Sequence, residues 1–317
     1  MSKPGDQIIS MIVPTFRRPD GLDMALQSLL GQSADGMDIE LVVVDNDPDC
    51  TAREAVETFA KEAPFPVIFE HEPNPGVSNA RNTALKAAKG RYLAFLDDDQ
   101  VAGEGWLQGL FSALVSEEDA VLAFCPTDAV LPTVNRDQDY MTDFFSRTPE
   151  IADGLTEDVF GCGNSILDRG QIDLPEPPFE LASNELGGED DVLFDHLQRH
   201  GGKVVWTNKV RAKEYIRPHR ATRNYVWVRA YAFGQGHALY AFEATPRNWF
   251  GVFKWMAVGV VQSLIFGLIS AGLWVARHPS FLKWSAKFCD AIGKIFWPRP
   301  FHPRLYGAAM AKRKGIH

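Results

Sequence analysis

The sequence predicts an α/β fold built on a mainly parallel sheet with helices on both faces. Short runs of apolar, β-branched residues alternate with stretches of helical period from residue 8 to residue 124. The runs are near-continuously apolar, as strands buried on both faces are, and glycine, proline and polar turns separate them. That alternation is the pattern of a doubly wound sheet, whose ligands lie beyond the carboxyl ends of the strands.

The elements follow in order. Ile8–Val13 reads as a strand and Gly21–Leu30 as a helix. Ile39–Val44 is the next strand, with a helix over Thr51–Lys61. Val67–Glu70 is a short strand, and Val77–Lys89 a helix stopped by Gly90. Tyr92–Leu96, a helix over Gly105–Val115 and Ala120–Phe124 close the alternation. Residues 127–157 are polar and irregular and read as a long loop. Val159–Leu167 reads as a further strand, and residues 171–188, rich in proline, glycine and acids, as a second loop. Asp190–Arg199 is helical and stopped by Gly201-Gly202. Lys203–Trp206 and Ala212–Ile216 are short strands, and Thr222–Phe242 is a helix.

The charge is unevenly placed. Residues 1–200 carry 13 Lys and Arg against 38 Asp and Glu, a net of −25, whereas residues 201–317 carry 19 against 3, a net of +16. A basic segment rich in Trp and Phe suits an anionic surface. Residues 256–276 contain no charged side chain, a span long enough to cross a bilayer core of about 30 Å. Residues 281–297 then place Phe281, Trp284, Phe288 and Phe296 among Lys283, Lys287 and Lys294, the composition of an interfacial helix. The uncharged span makes membrane lipids a better partner than nucleic acid. One crossing and a monotopic arrangement both stay open, because basic residues flank both ends. The expected division is a catalytic domain over 1–245 and a membrane-associated segment over 246–317. Four scattered cysteines without a CxxC pair give no zinc pattern and fit a reducing compartment, and the polar start of the chain is not that of a signal peptide.

Five stretches carry chemistry. Asp97-Asp98-Asp99 follows a strand; in extended chain Asp97 and Asp99 point the same way, and two such carboxylates invite a hard divalent cation. An acidic turn capping the helix near Gly103 is the plainer reading. Val13-Pro14-Thr15 with Arg17 and Arg18 ends the first strand, where a nucleotide could lie. Asp45-Asn46-Asp47 ends the second: Asp45 can accept from a base or ribose, or form an Asx turn into the next helix. Asn74-Pro75-Gly76 opens a helix with Arg81 in its first turns, suited to phosphate oxygens or to a simple helix start. Gly187-Gly188-Glu189-Asp190-Asp191 places acids at a helix N-terminus, for general-base work or for capping.

In order and spacing, the stretches VPTFRRPDGLDMALQSLLGQ, ELVVVDND, NPGVSNARNTAL, YLAFLDDD and GGEDDVLF resemble the inverting glycosyltransferases of family 2, which have the GT-A fold. The resemblance covers about residues 8–245. It implies that Asp45 contacts the nucleotide base, that Pro14, Thr15 and Arg17 form the nucleotide rim, and that Arg81 lies near the base or diphosphate. Asp97, Asp98 and Asp99 match the Asp-x-Asp motif: Asp97 and Asp98 lie against the donor, and Asp97 and Asp99 hold a Mg or Mn ion, with His219 near the metal or phosphates. Asp190 matches the catalytic base, Glu189 standing beside it, with Asp191 the alternative if the register shifts by one. The Gln-x-x-Arg-Trp motif of the polymerising members is absent, so a processive polymerase is not expected. What the resemblance implies is transfer of one sugar from a nucleotide-sugar, a UDP-sugar in the first place, to a lipid-linked or saccharide acceptor. The setting would be exopolysaccharide or cell-envelope synthesis at the cytoplasmic face of the bacterial inner membrane. A polyprenyl-phosphate sugar synthase and a catalytically silent sugar-nucleotide binder are the alternatives.

Overall fold

The structure is a computed structural model, and it describes residues 5–133, 136–184, 188–244 and 246–303. Two compact units divide the chain. The first holds residues 5–129 and 146–215, the second Val130–Phe145 with residues 216–303. The contacts therefore do not divide the chain at residue 245: the long helix before that position and the segment 130–145 group with the C-terminal helices.

The first unit is built on an eight-stranded sheet of order β3-β2-β1-β4-β9-β6-β10-β8. Its strands are β1 (Ile8–Thr15), β2 (Asp38–Asp45), β3 (Val67–His71), β4 (Tyr92–Phe95), β6 (Ala120–Phe124), β8 (Gly154–Thr156), β9 (Ser165–Asp168) and β10 (Lys203–Trp206). β1, β2, β3 and β4 are mutually parallel and β10 runs parallel to β6, whereas β9 is antiparallel to both β4 and β6 and β8 antiparallel to β10. A small sheet orders β5 (Gln100–Ala102), β11 (Ala212–Tyr215) and β7 (Thr127–Val130) as β5-β11-β7.

Alternate residues of each strand feed two cores. On one face Met11, Val13, Leu41 and Val43 meet Leu22 and Leu26 of α1 (Pro19–Leu29), Val56 of α2 (Arg53–Phe59) and Trp106 and Leu110 of α4 (Trp106–Val115). On the other, Ile12, Val42, Leu122 and Trp206 meet Ala80 and Ala84 of α3 (Val77–Ala87) and Leu193, Phe194 and Leu197 of α6 (Glu189–Arg199). Both faces being covered is why the strands are mainly apolar.

Two expectations from the sequence are corrected here. The loop over 127–157 contains β7, β8 and the helix α5 (Gln138–Phe145). That helix is only 8 residues long, and Met141 and Phe145 are its buried side chains. The strand placed at Val159–Leu167 is only Ser165–Asp168. Before it, Asn164 takes a left-handed φ of 73° and the chain is irregular. Asn164 is buried and its amide is fully engaged: Nδ2 donates to the carbonyls of Cys125 and Pro126 and to the Thr127 hydroxyl, and Oδ1 accepts from Trp106 Nε1 at 2.7 Å.

The second unit is helical: α5, α7 (Arg223–Glu243), α8 (Trp249–Val275) and α9 (Phe281–Ile295). Asn248 caps α8 through its side chain, accepting from Gly251 N at 2.8 Å, so the helix begins seven residues before the uncharged span does. Among the described residues it is the one helix long and apolar enough to cross a membrane by length and composition. α7 and α9 meet main chain to main chain. A Cβ on Gly293 would strike the carbonyl of Tyr231, and one on Gly234 that of Asp290.

Candidate active site

Parallel pairing brings the ends of β1, β2 and β4 to one edge, with Thr15 beside Asp45 and Ile12 beside Phe95. Pro14 stands one residue before the end of β1. The Ile12 carbonyl accepts from Leu96 on the β4 side and the Thr15 carbonyl from Asn46 on the β2 side, so the Pro14 nitrogen faces β4, whose ladder stops at Phe95. The missing N–H therefore falls where that strand ends.

Beyond Phe95 the chain turns, and Gln100 N donates to the Asp97 carbonyl at 2.9 Å. The alternation that was to set Asp97 and Asp99 on one face belongs to extended backbone and ends with it. Arg18 joins Asp98 and Asp99 instead, its Nη1 bonding to Asp98 and lying 2.8 Å from Asp99 Oδ2. Asp98 is buried and also accepts from the Thr15 hydroxyl at 2.9 Å and from Phe16 N at 3.3 Å. Burial pushes its carboxyl up to about 6, against the pull of Arg18. Thr15 and Asp98, both expected beside the donor, thus hold each other. Asp97 keeps 34% of its side chain exposed and meets Arg81 Nη2 at 3.3 Å. Gly163 passes so close that a Cβ there would collide with the Asp97 carboxylate.

Asp45 is fully buried, and both its oxygens serve the main chain: Oδ1 accepts from Asp47 N at 2.9 Å and Oδ2 from Ala52 N at 2.7 Å, at the start of α2. This is the Asx-type turn that the sequence left open. Arg17, at a φ of 52°, turns to Asp47 and Asp49, at 2.9 and 2.8 Å. The neighbouring Asn46 ties the edge together, donating to the carbonyls of Glu72 and Asn74 and accepting from Gly76 N.

The acids of α6 arrive from the other side of the edge. Glu189 is buried against Arg81, which bonds to it through Nη1. Burial disfavours the Arg81 charge, but the carboxylates of Asp97, Glu189 and Asp190 outweigh it and raise the guanidinium further above its ordinary range. Burial raises the Glu189 carboxyl, with Arg81 opposing. Arg81 therefore bridges Glu189 and Asp97, joining two of the predicted stretches. Asp190, half-buried, accepts from Cys162 N at 2.9 Å through Oδ2. Gly188 begins α6 at a φ of 84°; Gly187 lies outside the described residues. His219 belongs to the second unit, where its carbonyl accepts from the Thr222 hydroxyl at 3.3 Å. Three site residues escaped the sequence reading: Arg18 as the partner of the acidic triplet, Cys162 as the main-chain donor to Asp190, and Gly163. The Gly161-Cys162-Gly163-Asn164 run before a strand was the only signal for the last two.

The donor set suits a hard divalent cation. Among the described residues no three His, Cys, Asp or Glu side chains converge as a ready-made cage. A Mg-type ion needs only one or two carboxylates when phosphates and water complete its shell, and Asp97, with a third of its side chain exposed, is open to solvent at this edge.

The fold and this edge define a glycosyltransferase of the GT-A type. The chain belongs to glycosyl transferase family 2, whose model matches residues 10–170. It is 32% identical over 234 residues to the succinoglycan biosynthesis protein ExoM of Rhizobium meliloti (strain 1021), covering 72% of this chain and 74% of that protein. The minor teichoic acid biosynthesis protein GgaB of Bacillus subtilis (strain 168) is 31% identical over 103 residues, 32% of this chain and only 11% of that protein. The fold is shared with the mannosyltransferase PcManGT of Pyrobaculum calidifontis in complex with GDP-Man and Mn2+, at a TM-score of 0.59, 18% identity and coverage of 92% and 87% of the two chains. It is shared also with residues 1–349 of S. aureus TarS in complex with UDP, at 0.52, 16%, 97% and 91%.

Proposed function

We propose that this enzyme moves one sugar from a nucleotide-sugar donor, a UDP-sugar in the first place, to an acceptor hydroxyl, with inversion at the anomeric carbon. The supporting observation is that Asp190 is oriented by Cys162 N–H while the buried Arg81 spans Asp97 and Glu189, so the proposed base directly follows a residue that is joined through Arg81 to the proposed metal ligand. The acceptor hydroxyl gives its proton to Asp190 as its oxygen bonds to the anomeric carbon. The bond from that carbon to the diphosphate breaks on the opposite side, and the nucleoside diphosphate leaves with the electron pair. Asp97 and Asp99 would hold a Mg or Mn ion, which when bound supplies positive charge for the diphosphate.

ExoM and GgaB are named for polysaccharide and teichoic acid synthesis, which supports an acceptor in exopolysaccharide or cell-envelope glycan assembly. A lipid-linked acceptor fits the long apolar helix of the second unit, on a protein held at the cytoplasmic face of the membrane. Incubating the full chain with UDP-, GDP- and dTDP-sugars and a bacterial lipid extract, with Mg, Mn or EDTA, and weighing the products tests the reading. One donor giving a glycosylated lipid, with inverted linkage and cation dependence, is the expected result. Transfer unchanged in Asp190→Asn would remove the proposed base.

A further inference from the structure

The second unit decides between the two membrane arrangements that the sequence leaves open. α8 exposes one unbroken stripe that includes Phe250, Phe253, Val261, Leu264, Leu268 and Val275, from 57% to 80% exposed, with Lys254 as its one charged neighbour. The spacing is helical, so these side chains share one face about 38 Å long at 1.5 Å per residue. The opposite face, with Gly259, Phe266 and Gly267, packs on α9.

The charges of α9 and α7 stand level with the middle of α8. Lys287 Nζ lies 5.9 Å from the ring of Phe266, and a Cβ on Gly259 would lie 2.9 Å from the Cβ of Lys294. Phe266 and Gly259 bracket the centre of the helix, Gln262, by about 6 and 5 Å along the axis. Lys294 is buried against Asp290 and cannot reach towards water. α7 crosses α9 at the same height, with Trp227 Nε1 bonded to Ser285 Oγ at 2.8 Å and Gly234 against Asp290, and carries Arg229 between those contacts. An upright α8 would set Lys287, Asp290, Lys294 and Arg229 near the midplane of a hydrocarbon core about 30 Å thick, where ionised groups are expensive.

We propose that the unit is monotopic. α8 lies in the plane of the membrane with its stripe in the acyl boundary, while α9 and α7 stay on the aqueous side and Lys283 and Lys287 meet anionic headgroups. This rests on the membrane association proposed above and fixes its geometry. Arg247 and Pro279, exposed residues before and after α8, would then lie on the same side.

The test uses the full chain expressed in bacteria, with Arg247→Cys or Pro279→Cys, a membrane-impermeant maleimide, sealed spheroplasts and inverted inner-membrane vesicles. The modified site is read by peptide mass. The protein should pellet with membranes, and both positions should label in inverted vesicles only. Labelling of the two positions from opposite sides would overturn the monotopic geometry while leaving membrane association intact, and a protein wholly in the soluble fraction would overturn both. As a second measurement, Leu268→Asp, at a position 78% exposed, should reduce partition onto phosphatidylglycerol vesicles at least tenfold with an unchanged circular dichroism spectrum. Unchanged partition would sink the in-plane stripe.

Discussion

Asp190 is held by the main chain of Cys162, whose N–H lies 2.9 Å from Oδ2. A main-chain donor cannot be removed by substituting a side chain, so the orientation of this carboxylate depends on the path of residues 161–164 rather than on the thiol. Asp190→Asn keeps the shape and removes the basic oxygen. Its kcat is expected to fall by at least about 10²-fold, the ordinary contribution of a positioned general base, with donor affinity by calorimetry unchanged. Cys162→Ala should keep most of the activity.

The three acids after β4 separate by role. Asp97→Asn and Asp99→Asn should leave the melting temperature close to that of the parent and raise the Mn concentration needed for half-maximal rate. Asp98→Ala breaks bonds to Thr15, Phe16 and Arg18 in a buried place, and removing one partner of a buried charge pair costs about 3–5 kcal/mol. A melting temperature for Asp98→Ala equal to that of Asp97→Asn would refute this division.

Arg81→Met leaves Glu189 buried without its cation and frees Asp97. The variant should unfold at lower urea concentration, by the same order as Asp98→Ala, and lose activity besides. Adding Glu189→Gln should restore stability and not activity, because the buried group is then neutral.

Gly163→Ala puts a methyl group into the Asp97 carboxylate. The measurement is a Mn titration of the rate: cation affinity should fall while the fold, by circular dichroism, is retained. Wild-type affinity in this variant would show that Asp97 moves freely.

Thiol chemistry reports on the interior. Burial pushes the Cys125 thiol up to about 12 and raises Cys162 as well, against the lowering effect of Asn164 at Cys125 and of Arg81 at Cys162. Between pH 7 and 9 both stay protonated and enclosed, so a disulfide reagent should modify the partly exposed Cys50 and Cys289 before either of them. All four thiols should react after unfolding in guanidinium. Rapid reaction of Cys162 in the folded protein would contradict the packing around Asp190.

The central sheet was legible because its strands are buried on both faces, which leaves mostly apolar runs in β1 and β2, broken only by Ser10 and Glu40, which bond to each other. The acids were legible as groups but not in their pairings. Nothing in the spacing distinguishes Arg17 from Arg18. The left-handed φ of Arg17 sends it to Asp47 and Asp49 and leaves Arg18 to the triplet. Asp45 carried two readings, a ligand contact or an Asx turn, and its oxygens accept from amides two and seven residues on, the local pairing of the second. β9 was read too long because Asn164 is compatible with a strand until its amide network is seen.

The glycine contact between α7 and α9 carries a mechanical consequence. With Gly234 and Gly293 seated backbone against backbone, the two helices cannot slide past each other without opening a gap that no side chain is there to fill. In the in-plane arrangement proposed above, force exerted by lipid on the stripe of α8 would pass to a stiff raft, and the ammonium groups of α9 would ride at a set height above the acyl chains instead of adjusting one by one.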